Sequence, residues 1–416
     1  MSETENRHPV SCALFEWLFF LYPISLALNK TANDVVSALI FISSCVFLVI
    51  NWRTFSATIR SSRKLWIVAL TLPLVLTAIQ LAVLTPPMGL RDFDDVSRFF
   101  LCIPVYLALL AIKPDVRKFL WGCALFTLLS VPLMVWHLHV LGLARGVPPN
   151  GFLGIIPQTS LSIIFGLLAL RLCIGASGVI MTRLLPALLI GCMIGMPLLT
   201  QTRSGLLLAL ALGLLLWIML PNRKIKPLLY TGGAALAVMA LVVTNSQLWP
   251  RADHTLAEIS EYATNRSATM TSATTRIELW RQAGRMALSH PLIGVGNNRF
   301  RNTLVDYQKK GETPPGLDMY THPHNEFLKV AAEGGLLGIL SLGLLYFVPL
   351  TAAVRAYRRQ RVLTSPALLT LLFSSGLLFA GFVDVVLIWR PTILFYGVAV
   401  SLLLMNMDRA ETRTSP

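Results

Sequence analysis

The feature that most constrains this chain is a succession of apolar runs, each close to the length of a membrane-crossing helix. A helix rises about 1.5 Å per residue, so a hydrocarbon core of about 30 Å takes about 20 residues. Runs of this kind lie at 9–28, 34–52, 65–84, 98–112, 118–138, 158–174, 184–200, 204–220, 227–245, 325–349, 366–388 and 391–407. The reading is an all-α polytopic membrane protein of about twelve spans. Of 416 residues, 55% are hydrophobic and 13% charged, roughly half the charge of a soluble domain. A soluble enzyme is thereby excluded. The run near residue 10 has no small-residue cleavage site after it and reads as the first span. Pro104, Pro132 and Pro186 fall in spans, where neighbouring helices can satisfy the freed backbone groups.

The formal net charge is +15, and its placement makes it a topology signal rather than a nucleic-acid footprint. One set of connections carries Arg53, Arg60, Arg63, Lys64, Lys113, Arg117, Lys118, Arg171, Arg183, Arg223, Lys224, Lys226, Arg355, Arg358, Arg359, Arg361, Arg409 and Arg413. The short connections of the other side carry Lys30, Arg91, Arg98, Arg145, Arg203 and Arg390. The positive-inside rule puts the first set in the cytoplasm. Both termini are then cytoplasmic, and the large loop is extracytoplasmic. The expected parts are 1–245 with nine spans, 246–324 as the loop, and 325–416 with three spans and a tail. The six cysteines lie in or beside apolar runs without ligand or pairing spacing, and read as small buried hydrophobes.

The loop is not low-complexity. Helices are predicted over 252–262 and 272–289, the second with Ile277, Trp280, Gly284 and Ala287/Leu288 on one face. Pro291 ends it, Gly294-Val295-Gly296 turns the chain, 298–310 is helical up to Gly311, and Thr313-Pro314-Pro315-Gly316 is loop. The whole reads as a small cap on the bundle.

Three residues carry the candidate chemistry. Arg203 sits between two apolar runs on the side that the positive-inside bias leaves poor in arginine. A snorkelling arginine marking a helix end is one reading; one facing a cavity or an anionic ligand is the other. Arg276 opposes the dipole at the start of its helix, or is simply an exposed surface arginine. His324, in Thr321-His322-Pro323-His324-Asn325-Glu326, falls where the loop re-enters the membrane. Pro323 suits a first helical position, which would put His324 in the first turn, as a general base or as an ordinary interfacial histidine. His322 with His324 could be half of a zinc site, but no cysteine accompanies them, and His254 and His290 stand apart. Metal is therefore not expected. Asp92, Asp94 and Asp95 read as a charge-paired loop beside Arg91 and Arg98 rather than a cation site. His322, Asn325, Asp384 and Arg390 form a second tier; Asp384 is an intramembrane carboxylate that Arg390 could neutralise. Two arginines and a histidine at an outer face, where no ATP is available, suit a pre-activated donor such as a lipid-linked diphosphate.

At these residues the sequence resembles the O-antigen ligase family, whose membrane domain is shared by O-antigen polymerases and bacterial O-linked oligosaccharyltransferases. Arg203-Ser204-Gly205-Leu206-Leu207 is similar to the family's Arg-x3-Leu, and His324 followed by Gly335 to its His-x10-Gly. His322 does not fit that spacing, because Glu333 stands where the glycine would be. The stretch from Arg276 through Trp280 and Pro291-Leu292-Ile293-Gly294-Val295-Gly296 to Phe300 resembles the family's loop, with Arg276 in the place of its second arginine. The resemblance implies a GT-C-type glycosyltransferase of the bacterial inner membrane, active at the periplasmic face. It would transfer polysaccharide from undecaprenyl diphosphate to lipid A–core, inverting and without a metal or cofactor. Arg203 and Arg276 would hold the diphosphate and His324 would serve as the base. Polymerase and protein O-oligosaccharyltransferase are the rival readings within the superfamily. A transporter is the rival outside it, but paired halves with matching broken helices are missing.

Overall fold

A computed structural model describes residues 9–84, 89, 92–140, 153–219, 272–362, 364–387 and 390–414. The described residues form helices and connections, with no strand. In chain order the helices are α1 Pro9–Leu28, α2 Lys30–Ile50, α3 Trp52–Ser61, α4 Lys64–Val83, α5 Asp92–Ile112, α6 Arg117–Val135, α7 Ile155–Ala169, α8 Leu185–Thr200 and α9 Arg203–Met219. They continue as α10 Ser272–Ser289, α11 Phe300–Lys309, α12 Glu326–Gln360, α13 Pro366–Val383 and α14 Arg390–Thr414. Among the described residues ten helical segments are long and apolar enough to span a membrane, α7 and α8 being counted with the helical turns that adjoin them as Ile155–Leu172 and Ile180–Thr200, and Arg203–Met219 is apolar but shorter. These eleven correspond to eleven of the expected spans. The run at 227–245 and the helix at 252–262 lie outside the described residues, as do Arg91, Arg145, Arg223, Lys224, Lys226 and His254.

Packing follows the sequence's small and aromatic residues. The ring of Phe395 on α14 meets Tyr22, Phe119, Phe165 and Phe373 at centroid separations of 4.9 to 6.3 Å, drawing α1, α6, α7 and α13 onto α14. Some polar side chains inside the bundle pair across helices: Trp66 Nε1 donates to Ser401 Oγ (3.0 Å), and the Tyr396 hydroxyl to the Leu345 carbonyl (2.7 Å). Such bonds matter where no water can replace them. All six cysteines are free, Cys102 and Cys123 buried and the others half-buried.

The two ends of the bundle differ. At one end Arg63 pairs with Asp408, Lys118 with Glu16 (3.0 Å), and Arg409 donates to the Lys113 carbonyl (2.9 Å). This is the basic set read from the sequence. At the other end α10, α11 and their connections cap the start of α12. Leu279, Ala283 and Met286 of α10 pack on Phe300, Leu304, Leu317 and Ala332. That corrects the face expected for α10. Trp280 is 39% exposed and Leu288 84%, and nothing lies within 4 Å of a Cβ placed on Gly284. The expected stripe points outward; the one offset by a few residues faces the cap core.

Candidate functional site

The site forms where α12 begins under the cap. Asn325 accepts the Leu328 N–H (3.0 Å) as the helix N-cap, and its amide donates to the Phe382 carbonyl (2.9 Å) on α13. Asparagine is among the strongest N-caps, so α12 starts at Glu326. Pro323 is therefore not the first helical residue, and His324 lies one residue before the cap instead of in the first turn. Its backbone is left-handed, φ +51°, which costs about 1–2 kcal/mol for a residue with a Cβ and is found where the surroundings enforce it.

Asp384 caps the C-terminal end of α13, and its Oδ1 lies 3.1 Å from His324 Nδ1. The same oxygen accepts the Val385 N–H (2.9 Å). A carboxylate there accepts a hydrogen bond from Nδ1–H and leaves the Nε2 lone pair for a proton from outside. Burial works to raise the Asp384 carboxyl, but the hydrogen bond and charge of His324, with His322 and the Val385 N–H, outweigh it and hold it below its usual range. The Asp384 side chain is 12% exposed and that of His324 26%, so the imidazole is within reach of a substrate while its carboxylate is shielded.

His322 faces the His324 ring edge-on, centroids 4.6 Å apart, and its Nδ1 accepts the His324 backbone N–H (3.3 Å). Burial first, and then His324, push its pKa down to about 4. The donor atoms of His322, His324 and Asp384 all lie within 4.8 Å of one another, a grouping that could hold a metal ion. Tetrahedral ligands about 2 Å from zinc stand roughly 3.3 Å apart. His322 Nδ1, His324 Nδ1 and Asp384 Oδ1 are each engaged in a hydrogen bond inside the protein.

Trp280 of α10 donates Nε1–H to the Pro323 carbonyl (2.9 Å), pinning the helix to the His-Pro-His turn. Arg276, one helical turn earlier, is half-buried, and its charge bears on His322. Arg203 is exposed at the first position of α9. Its neighbour Ser204 lines an apolar pocket with Phe382 and Val383, the residues that lead into Asp384. Among the first-tier residues, Arg276 lies close enough to the His-Pro-His turn for its charge to bear on His322, and Arg203 adjoins Ser204, which lines the pocket next to Phe382 and Val383. Arg390 begins α14, and its side chain lies outside the described set.

The acidic run is accounted for locally. Asp92 accepts the Gly89 N–H (2.9 Å), Asp94 pairs with Arg98 (3.2 Å), and Asp95 accepts from Asn298 (3.2 Å).

Three features escape sequence reading. The first is a backbone seam. α12 is broken at Gly335, φ +57° and ψ −149°, and the turn 291–296 fills the break. Val295 and Gly296 donate to the carbonyls of Ala332 and Glu333 (2.9 and 3.1 Å), and Leu336 and Leu337 donate to Pro291 and Leu292 (2.8 and 3.1 Å). A Cβ on Gly335 would stand 2.6 Å from the Leu292 carbonyl carbon, and one on Gly294 2.3 Å from that of Glu333. The second is Gln80, buried near the end of α4. It donates to the Ile293 and Glu333 carbonyls (2.6 and 2.7 Å) and accepts the Asn297 N–H (3.2 Å). The third is Glu326, also buried, which accepts the Leu387 N–H and the Tyr346 hydroxyl (both 2.6 Å) and so fixes the turn after Asp384. Glu326, Lys329 and Glu333 were visible as charges inside an apolar run, a pattern that marks function or tight pairing; Lys329 and Glu333 form a buried pair at 2.5 Å.

The all-α polytopic membrane bundle thus carries, at one end, a shielded histidine–carboxylate pair with an arginine near it. Residues 188–343 match the family model described as O-antigen ligase. The matched stretch includes Arg203, Arg276, His324 and Gly335, and the match supports the resemblance to the O-antigen ligase family. No curated protein matches the chain.

Proposed function

We propose that the chain is an O-antigen ligase of the bacterial inner membrane, with its loop end at the periplasmic face and both termini in the cytoplasm. Polysaccharide on undecaprenyl diphosphate is the donor, and a sugar hydroxyl of lipid A–core is the acceptor. The observation that carries the reading is the His324–Asp384 pair, 3.1 Å apart and only partly exposed beside Arg276. The acceptor oxygen attacks the anomeric carbon from the face opposite the diphosphate, so configuration inverts. The acceptor proton passes to His324 Nε2, and Asp384 stabilises the imidazolium that forms. The bond from the anomeric carbon to the diphosphate breaks, and its electron pair leaves on the diphosphate. Arg203 and Arg276 hold that group and offset its growing charge. Proton transfer and charge stabilisation both come from side chains, so no step calls for a metal, and the family resemblance implies a transferase of the GT-C type.

A test of the arginines follows. A lysine is a point charge and cannot reproduce the planar fork that grips phosphate oxygens. Arg203→Lys and Arg276→Lys should each lower kcat/KM on the order of tenfold or more, one lost charge-assisted bond being about 1.5–3 kcal/mol. Steady-state transfer from lipid-linked glycan measures this. Unchanged kinetics in Arg203→Lys would leave that residue a snorkelling helix-end arginine.

A further inference from the structure

We infer that His322 is the positioning residue that sets the backbone of His324, and is neither a second base nor a metal ligand. The inference rests on the proposed role of His324 as base.

His324 holds φ +51°, a conformation that residues with a Cβ rarely adopt. Asn325, next along, is extended, φ −157°, and caps α12. The chain must therefore reverse at His324 for its ring to meet Asp384 while Asn325 still starts the helix. The His322 side chain supports that reversal directly: its Nδ1 accepts the N–H of His324, two residues on. This is the connectivity of an Asx-turn, in which the Oδ1 of Asn or Asp takes the N–H two residues later and stabilises a left-handed neighbour. Histidine Nδ1 sits where that Oδ1 would, one bond beyond Cγ. Pro323 completes the device. Its ring fixes its own φ and holds His322 extended, and it has no N–H, so the first backbone donor within reach is that of His324. The His322 ring also packs edge-on against the His324 ring. To accept a hydrogen bond, His322 has to be neutral, and its low pKa agrees with that.

The test uses full-length His322→Ala, His322→Asn and His322→Gln in a purified transfer reaction, with His324→Ala beside them. His322→Ala should lower kcat on the order of tenfold to a hundredfold, the effect of misplacing a catalytic group by about 1 Å. Its KM for donor should stay within about twofold, since binding is untouched. His322→Asn restores most of kcat because its Oδ1 closes the same turn. His322→Gln does not, because its carbonyl lies one methylene too far. The inference is overturned if Asn is as poor as Ala, if Gln matches Asn, or if Ala keeps wild-type kcat. A His324→Ala protein that still transfers glycan would overturn the proposed base itself, an outcome independent of how the His322 variants rank.

Discussion

His324→Ala leaves a folded membrane protein that transfers no measurable glycan. A positioned general base contributes roughly 10²- to 10⁴-fold, and no other described group stands ready to replace it. His322 has its Nδ1 lone pair engaged by the His324 N–H, and Asp384 is shielded behind the imidazole. The fold should survive, because His324 is partly exposed and the start of α12 is held by Asn325 and Glu326. Asp384→Asn should fall between wild type and His324→Ala. It keeps an oxygen for the Val385 N–H but loses the charge that stabilises the imidazolium and fixes the tautomer. Capped lipopolysaccharide on a gel of cells carrying only His324→Ala would remove the histidine from the chemistry.

Gly335→Ala should have an effect of similar size by another route. The added Cβ meets the Leu292 carbonyl carbon at 2.6 Å, at a backbone φ of +57° that already disfavours a side chain. Backbone cannot swing aside as a flexible side chain can, so the seam between 291–296 and 332–337 has to open. Its four hydrogen bonds contribute about 1 kcal/mol each, and the strain adds about 1–3 kcal/mol. With the seam open, the cap that carries Arg276 and Trp280 loses its register on the His-Pro-His turn. The expected result is normal helix content, a loop cut faster by protease, and transfer down on the order of a hundredfold. Wild-type protease resistance and activity in Gly335→Ala would contradict this account of the His-x10-Gly spacing.

The bundle was legible because membrane spans are written locally, in apolar runs and the charges between them. Eleven runs became helices that overlap their expected bounds, although α12 runs on to Gln360 through Arg355, Arg358 and Arg359, which were read as a connection. His324 was legible through its spacing to Gly335, yet the reason for that glycine was not. The seam joins segments about forty residues apart, and periodicity holds no record of such pairing. The start of α12 was misplaced because Pro323 was weighed above Asn325, although the asparagine side chain can accept a helix N–H and the proline ring cannot. Asp384 was visible as a costly intramembrane carboxylate, but its natural partner on paper was Arg390, six residues away. The fold brings it His324, sixty residues earlier, because α13 ends where α12 begins. The buried face of α10 was missed because Ile277, Trp280 and Leu288 look like core residues. Trp280 instead spends its N–H on Pro323, and the stripe of Leu279, Ala283 and Met286 faces the cap.

The central claim is that this site moves a glycan from a lipid diphosphate to lipid A–core with His324 as base and without a metal. Its most direct test incubates the purified protein with undecaprenyl diphosphate-linked glycan and lipid A–core, with and without a chelator, and identifies the product by mass. The account predicts glycan-bearing lipid A–core and free undecaprenyl diphosphate, unchanged by chelation and absent with His324→Ala. Glycan lengthened on its own carrier, or transfer abolished by the chelator, would contradict it.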